Sequence, residues 1–239
     1  MKALPIYLSL LLVLFAGCKR DPTAPASSMP PPAVVKGVYV LNEGNFGDPA
    51  GARLSLYDVD RDTVFRDVFE ATNNGMHLGS TGDDIKLFDG RAYILMSGSE
   101  NIEVISLANH ALQQSANYPG ATPHDLLIDS LRNKAYVTQL FSSSILVLEL
   151  STLGSIGTVQ VGPNPQGMVL SGDQLFVCNS GFGSNRTISV VDVTVDTVKK
   201  TLILSEGPTA AAVAVDGKIW VACTGNAFGT PVTLGKVYV

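Results

Sequence analysis

One pattern returns about every 43 residues, and a repeat of that length decides how the chain can bury its apolar side chains. A small or polar residue, an apolar residue, an aromatic and another apolar residue form a first run. Polar and glycine residues follow, and then a second apolar run. The first runs are Gly37–Val40, Arg91–Ile94, Lys134–Val137, Gln174–Val177 and Lys218–Val221. Their aromatics, Tyr39, Tyr93, Tyr136, Phe176 and Trp220, are spaced by 54, 43, 40 and 44 residues. The second runs are Leu54–Asp58, Ile102–Ser106, Ile145–Glu149 and Ile188–Asp192, and Lys236–Val239 opens a fifth. All are short, rich in β-branched residues and bounded by Gly, Asn, Asp and Ser, which reads as strands. A third strand follows, as at Thr158–Val161 and Thr201–Leu204. A fourth opens after a Gly/Pro turn, as at Leu126–Ile128, Met168–Leu170 and Ala212–Val215. Four strands per repeat is the spacing of a propeller blade. A β-helix would turn sooner, a sandwich would not repeat, and no helical period runs long enough to compete. The predicted class is all-β, a β-propeller of four-stranded blades with about four and a half blades present.

The N-terminal residues are of another kind. Met1 and Lys2 precede an apolar run from Ile6 to Phe15, then Ala16, Gly17 and Cys18. A charged start, an apolar core and small residues before a cut are the parts of a signal peptide. The run is shorter than the roughly 20 residues that span a bilayer. Leu14–Cys18 resembles the bacterial lipobox, with Phe15 where Leu is usual. Residues 1–17 are therefore expected to be a lipoprotein signal peptide, and Cys18 the lipidated residue. Stable anchoring takes at least two acyl chains, and lipoproteins that this segment resembles carry three. Residues 18–33, rich in Pro, Ala and Ser, read as an extended tether. The propeller is assigned to residues 34–239. The expected location is the bacterial cell envelope, with Lys19 favouring the outer membrane. A net charge of −5 argues against a nucleic-acid partner. Cys178 and Cys223 read either as a disulfide or as two buried thiols.

The repeat has a recognisable form. Asn164–Leu170, Leu175–Ser180, Thr187–Asp192 and Val198–Leu202 resemble the YVTN (YncE-like, surface-layer) β-propeller repeat, and Ala135-Tyr-Val-Thr138 nearly spells the name. The resemblance covers residues 34–239. It implies seven blades, roughly 300 residues at this period, so this chain is expected to be a fragment of a seven-bladed ring or else a compact five-bladed closure.

Strand order places two sets of loops on one rim. Pro123, Pro165 and Pro208, 42 and 43 residues apart, mark the start of successive innermost strands, with Thr81 in the matching place one blade earlier. Asp83, Asp84, His124, Asp125, Gln166 and Thr209 follow them and are expected to ring the channel mouth, as ligand contacts or as solvated polar residues behind a turn. The second set puts a phenylalanine beside amides: Asn42, Asn45 and Phe46; Gln139 and Phe141; Asn179 and Phe182, with Arg186 just beyond; Asn226 and Phe228. Such rings either pack on the next blade or line a cleft for a large, partly planar ligand.

Catalytic signals are few. His77, His110 and His124 form no short-spaced pair, and His77 and His110 read as loop residues. His124 and Asp125 are the one acid–base candidate, but neighbours on a strand face opposite ways. Nucleophile-elbow, phosphate-loop and zinc patterns are missing. The acids at Asp48–Asp62 and Asp83–Asp84 lack calcium-loop spacing. No cofactor or metal is expected. The chain reads as a non-catalytic binding module. Within its family resemblance, it would capture a large small molecule such as a corrinoid for an outer-membrane transporter. Two alternatives remain open: an enzyme of lactonase or quinoprotein dehydrogenase type using Asp83, Asp84, His124 and Asp125, or a scaffold or adhesion module that docks another envelope protein.

Overall fold

The computed structural model describes residues 36–45 and 47–239. Cys18, the tether and Phe46 lie outside the described residues. Five antiparallel sheets follow one another along the chain. The first holds β1 (Gly37–Asn42), β2 (Arg53–Asp58) and β3 (Thr63–Phe65), followed by a short helix, α1 (Val68–Thr72). The second holds β4 (Gly82–Phe88), β5 (Arg91–Met96), β6 (Asn101–Ser106) and β7 (Leu112–Asn117). The third is β8 (Pro123–Asp129), β9 (Lys134–Gln139), β10 (Ser144–Glu149) and β11 (Ser155–Gln160). The fourth is β12 (Pro165–Ser171), β13 (Gln174–Asn179), β14 (Thr187–Asp192) and β15 (Thr197–Ile203). The last is β16 (Pro208–Val213), β17 (Ile219–Cys223) and β18 (Lys236–Tyr238).

The β-propeller class holds, and five blades is close to the expected count. The strand that comes fourth in each sequence repeat pairs with the next aromatic strand, as Leu127 with Tyr136 and Val169 with Phe176. It is thus the innermost strand of the following blade. The inner strands β4, β8, β12 and β16 pack on one another in order. The one α-helix among the described residues, α1, is too short for a 3.6-residue period to reveal it; it stands beyond β3 and buries Phe69.

A separate apolar core fills each seam. Leu54, Leu56, Ile94 and Ile105 join the first two blades; Leu95, Val104, Leu126 and Leu148 the next pair. Val147, Leu175 and Val191 follow, then Cys178, Ile188, Val221 and Cys223. Both cysteines are free thiols buried in that last seam. Strand alternation explains this arrangement: every other residue faces the blade on one side, the rest the blade on the other. Each fully buried Leu or Ile contributes about 1.5–3 kcal/mol.

The aromatic repeat has a specific partner. Each outer hairpin turns through a residue at positive φ: Asp62 (46°), His110 (59°), Leu153 (55°) and Asp196 (53°). In two seams this residue is bonded to the aromatic of the preceding blade, and in a third the two share a buried cluster. Tyr39 Oη lies 2.6 Å from His110 Nε2, Tyr93 shares a buried cluster with Leu153, and Tyr136 donates to Asp196 Oδ1 at 2.7 Å. His110 is thus a loop residue, as expected, but a buried one, 2% exposed. Burial lowers its pKa, and burial raises that of Tyr39 to about 12.

Candidate functional site

Every inner strand begins with a bulge at the same place. Pro123 pairs with Gln139 and Leu126 with Val137, so His124 and Asp125 together oppose Thr138 alone. The register shifts likewise between Gly82 and Asp84, Pro165 and Met168, and Pro208 and Ala210. A bulge suspends the side-chain alternation and bends the strand. His124 and Asp125 consequently line the same cleft, which corrects the expectation that they face opposite ways. The bulge also frees the Asp125 N–H from the ladder, and it donates to Thr138 Oγ1 at 3.0 Å.

The cleft, about 300 Å3, lies where the four inner strands start. Asp83, Asp84, His124, Asp125 and Thr209 line it as expected from their spacing. Gln166 does not; its neighbours Gly167 and Met168 do. Lys86 is a site residue that the sequence reading missed, although its position two residues past Asp84 puts it on the same side of β4. Its ammonium bridges two blades, 3.0 Å from Asp84 Oδ2 and 3.1 Å from Asp125 Oδ1. His124 Nδ1 lies 2.9 Å from Asp83 Oδ1, while the buried Asp83 Oδ2 has no hydrogen-bond partner among the described residues.

The aspartates also close the seams. Asp84 Oδ2 accepts the Leu126 N–H at 3.0 Å, and Asp125 Oδ2 accepts the Met168 N–H at 2.8 Å. At the matching place of the next blade stands Gly167. A Cβ there would lie 2.6 Å from the Thr209 carbonyl oxygen, so backbone meets backbone where the other seams use a carboxylate.

Electrostatics follow from this packing. Burial pushes the Asp125 carboxyl up to about 6; Lys86 opposes that shift and Asp84 adds to it. Burial would lower the Lys86 ammonium, but Asp125 and Asp84 outweigh it and hold its pKa above the usual value. The hydrogen bond that His124 donates to Asp83 raises the pKa of the histidine. The cleft can thus hold a proton near neutrality and offers a carboxylate oxygen that needs a donor.

The second loop set divides. Phe141 and Phe182, on adjacent blades, stack with ring centroids 5.5 Å apart and planes at 39°. Both are exposed, and Phe228 is more so. Phe182 sits at φ 52°, held by its N–H bond to Ser180 Oγ. The Phe141 N–H donates to Thr122 Oγ1, two residues before His124, so ring pair and cleft share a rim. Asn179 is fully buried, and its amide donates to Thr187 Oγ1 and Ser189 Oγ. It ties its own hairpin and is not presented to a ligand. Asn42 is exposed but donates within its own sheet, to the Arg53 carbonyl and Ser55 Oγ. Asn45 is exposed, and Asn226 accepts the Phe228 N–H. Arg186 lines a different cleft, at the outer side of the same rim.

No curated protein matches this chain. Among solved structures, the hydrazine synthase of Kuenenia stuttgartiensis superposes with a TM-score of 0.63 at 14% identity, over 84% of this chain and 58% of that one. The present chain thus spans little more than half the length of that relative, and the likeness is one of fold. Residues 36–230 match the family described as a domain of unknown function, DUF5074, and the chain belongs to that family.

Proposed function

We propose that this protein is a non-catalytic, YVTN-type ligand-binding propeller of the cell envelope, lipid-anchored through Cys18. In this reading the rim takes a large, flat, amide-bearing ligand of the corrinoid kind and passes it to an outer-membrane transporter. The observation that carries the reading is one shared rim. It presents the exposed Phe141–Phe182 pair beside a cleft whose Asp83 Oδ2 is buried without a donor. Flat rings stack on the pair, and peripheral amide N–H groups would satisfy the carboxylates. Equilibrium dialysis against cobalamin tests it. Micromolar or tighter binding is expected, weakened about 3–10-fold by Phe182→Ala. Absence of binding at micromolar levels would end the corrinoid assignment.

A second reading draws on the bulge. His124 and Asp125 share a face, Asp83 orients the imidazole, and Asp125 titrates near 6, within the range of an acid–base catalyst. A lactonase-type hydrolase would then use His124 to activate water. Lactonase turnover in the wild type that is lost in His124→Ala supports this reading. Equal background rates in both would remove it.

A further inference from the structure

The outer cleft of the same rim has the opposite electrostatic character. It has a volume of about 410 Å3 and lies between the β13–β14 connection and the loop that leads into β18. Arg186 and Lys236 both line it, and neither makes an ion pair among the described residues. Their backbones are fixed: the Arg186 carbonyl accepts the Leu204 N–H at 2.8 Å, and Lys236 pairs with Cys223 in the ladder. The one carboxylate of the cleft, Glu206, accepts the Thr233 hydroxyl at 2.5 Å. Ser205 Oγ is 2.6 Å from Tyr238 Oη. Two cations against one engaged carboxylate leave a positive surplus, in a chain whose net charge is −5. Leu204 and Leu234 supply apolar walls.

From this arrangement we infer that the outer cleft is an anion site for a phosphate monoester carrying an apolar group. A dianionic phosphate matches two cations. The Arg186 guanidinium supplies a planar fork of donors, and the Lys236 ammonium supplies a mobile point charge. The leucine walls take the ester substituent. The site is separate from the acidic cleft and does not rest on the corrinoid reading.

A phosphate monoester can be a soluble metabolite or a lipid headgroup, so the test has two arms. Phenyl phosphate is titrated calorimetrically into the full chain, and cosedimentation is measured with phosphatidylcholine vesicles containing phosphatidic acid. Saturable binding in at least one arm is expected, and the arm that responds names the source. Arg186→Ala and Lys236→Ala each weaken it about 10-fold or more, as for loss of a charge-assisted bond. Glu206→Gln removes the one opposing charge and tightens binding a few-fold, an effect that mere misfolding would not produce. Failure of both probes to bind, or binding indifferent to Arg186→Ala and Lys236→Ala, overturns the inference.

Discussion

The two rims of the propeller close their seams by different means. On the hairpin rim, the aromatic of one blade meets the positive-φ residue of the next, and that residue changes from His110 to Leu153 to Asp196. The aromatic ring is constant, and its partner is whatever completes a buried contact. On the cleft rim, a carboxylate reaches across to a backbone N–H in two seams, and Gly167 removes the side chain altogether in the third. Here the link is polar, charged and only partly buried. One rim is built mainly by ring burial, where substitution is tolerated if volume is kept. The other binds its blades through groups that a ligand also sees, which ties seam stability to site chemistry.

The largest effect should come from the hairpin rim. Tyr136 is fully buried, and Tyr136→Ala is expected to lose about 3–5 kcal/mol in urea denaturation. A loss below about 1 kcal/mol would show that the ring is not what closes that seam. Tyr136→Phe keeps the ring and removes only the bond to Asp196, for about 1 kcal/mol. On the cleft rim, Gly167→Ala forces a methyl against the Thr209 carbonyl, which cannot swing away as a side-chain tip would. A cost of about 2–3 kcal/mol is expected, together with altered ligand binding, since Gly167 lines the cleft. Loss of stability alone would separate seam from site and break the comparison.

A pH titration sharpens the contrast. Asp125 is raised to about 6 in the folded protein, against an ordinary carboxyl near 4 when unfolded. Between those values the folded chain holds a proton that the unfolded chain has released. Stability therefore falls as pH rises through this window, by about 3 kcal/mol, and levels off above it. His124, raised chiefly by its bond to Asp83, continues the trend: its contribution is present below the usual histidine range and is lost as pH climbs past the raised value. Asp125→Asn keeps an acceptor for the Met168 N–H and should remove the acid-side slope. If the slope survives in this variant, Asp125 is not its source.

Much of this was legible in the sequence. Period, strand runs and the Pro-marked turns located the blades and put Asp83, Asp84, His124, Asp125 and Thr209 at one mouth. Three things were not legible, for physical reasons. Strict alternation kept His124 and Asp125 apart, because a bulge leaves no mark when the inserted residue is an ordinary polar one. Asn179 looked like its exposed neighbours, because an amide that ties a hairpin and one that meets a ligand are the same residue type. The burial of the loop residue His110 leaves no local mark because it depends on Tyr39, 71 residues away. Lys86 is within reach of the period-two rule from Asp84, but no proline or aromatic marks its place.

The smallest expected effect is the most direct test of how the rims differ. His110 occupies in one seam the place that Leu153 occupies in the next, at nearly the same φ. Burial lowers the His110 pKa, so the unfolded chain takes up a proton more readily than the folded one. Stability from this site is complete above the usual histidine range, about 6.5, and is lost as pH falls below it. That sign is opposite to the sign at Asp125. His110→Leu copies the neighbouring seam: it should remove the low-pH loss and cost about 1 kcal/mol at pH 7, chiefly from the unpaired Tyr39 hydroxyl. Adding Tyr39→Phe should recover most of that cost, since an apolar pair replaces both partners of the bond. If the double variant is no better than His110→Leu alone, the hairpin rim depends on its hydrogen bond rather than on volume, and the two rims are held by the same kind of force.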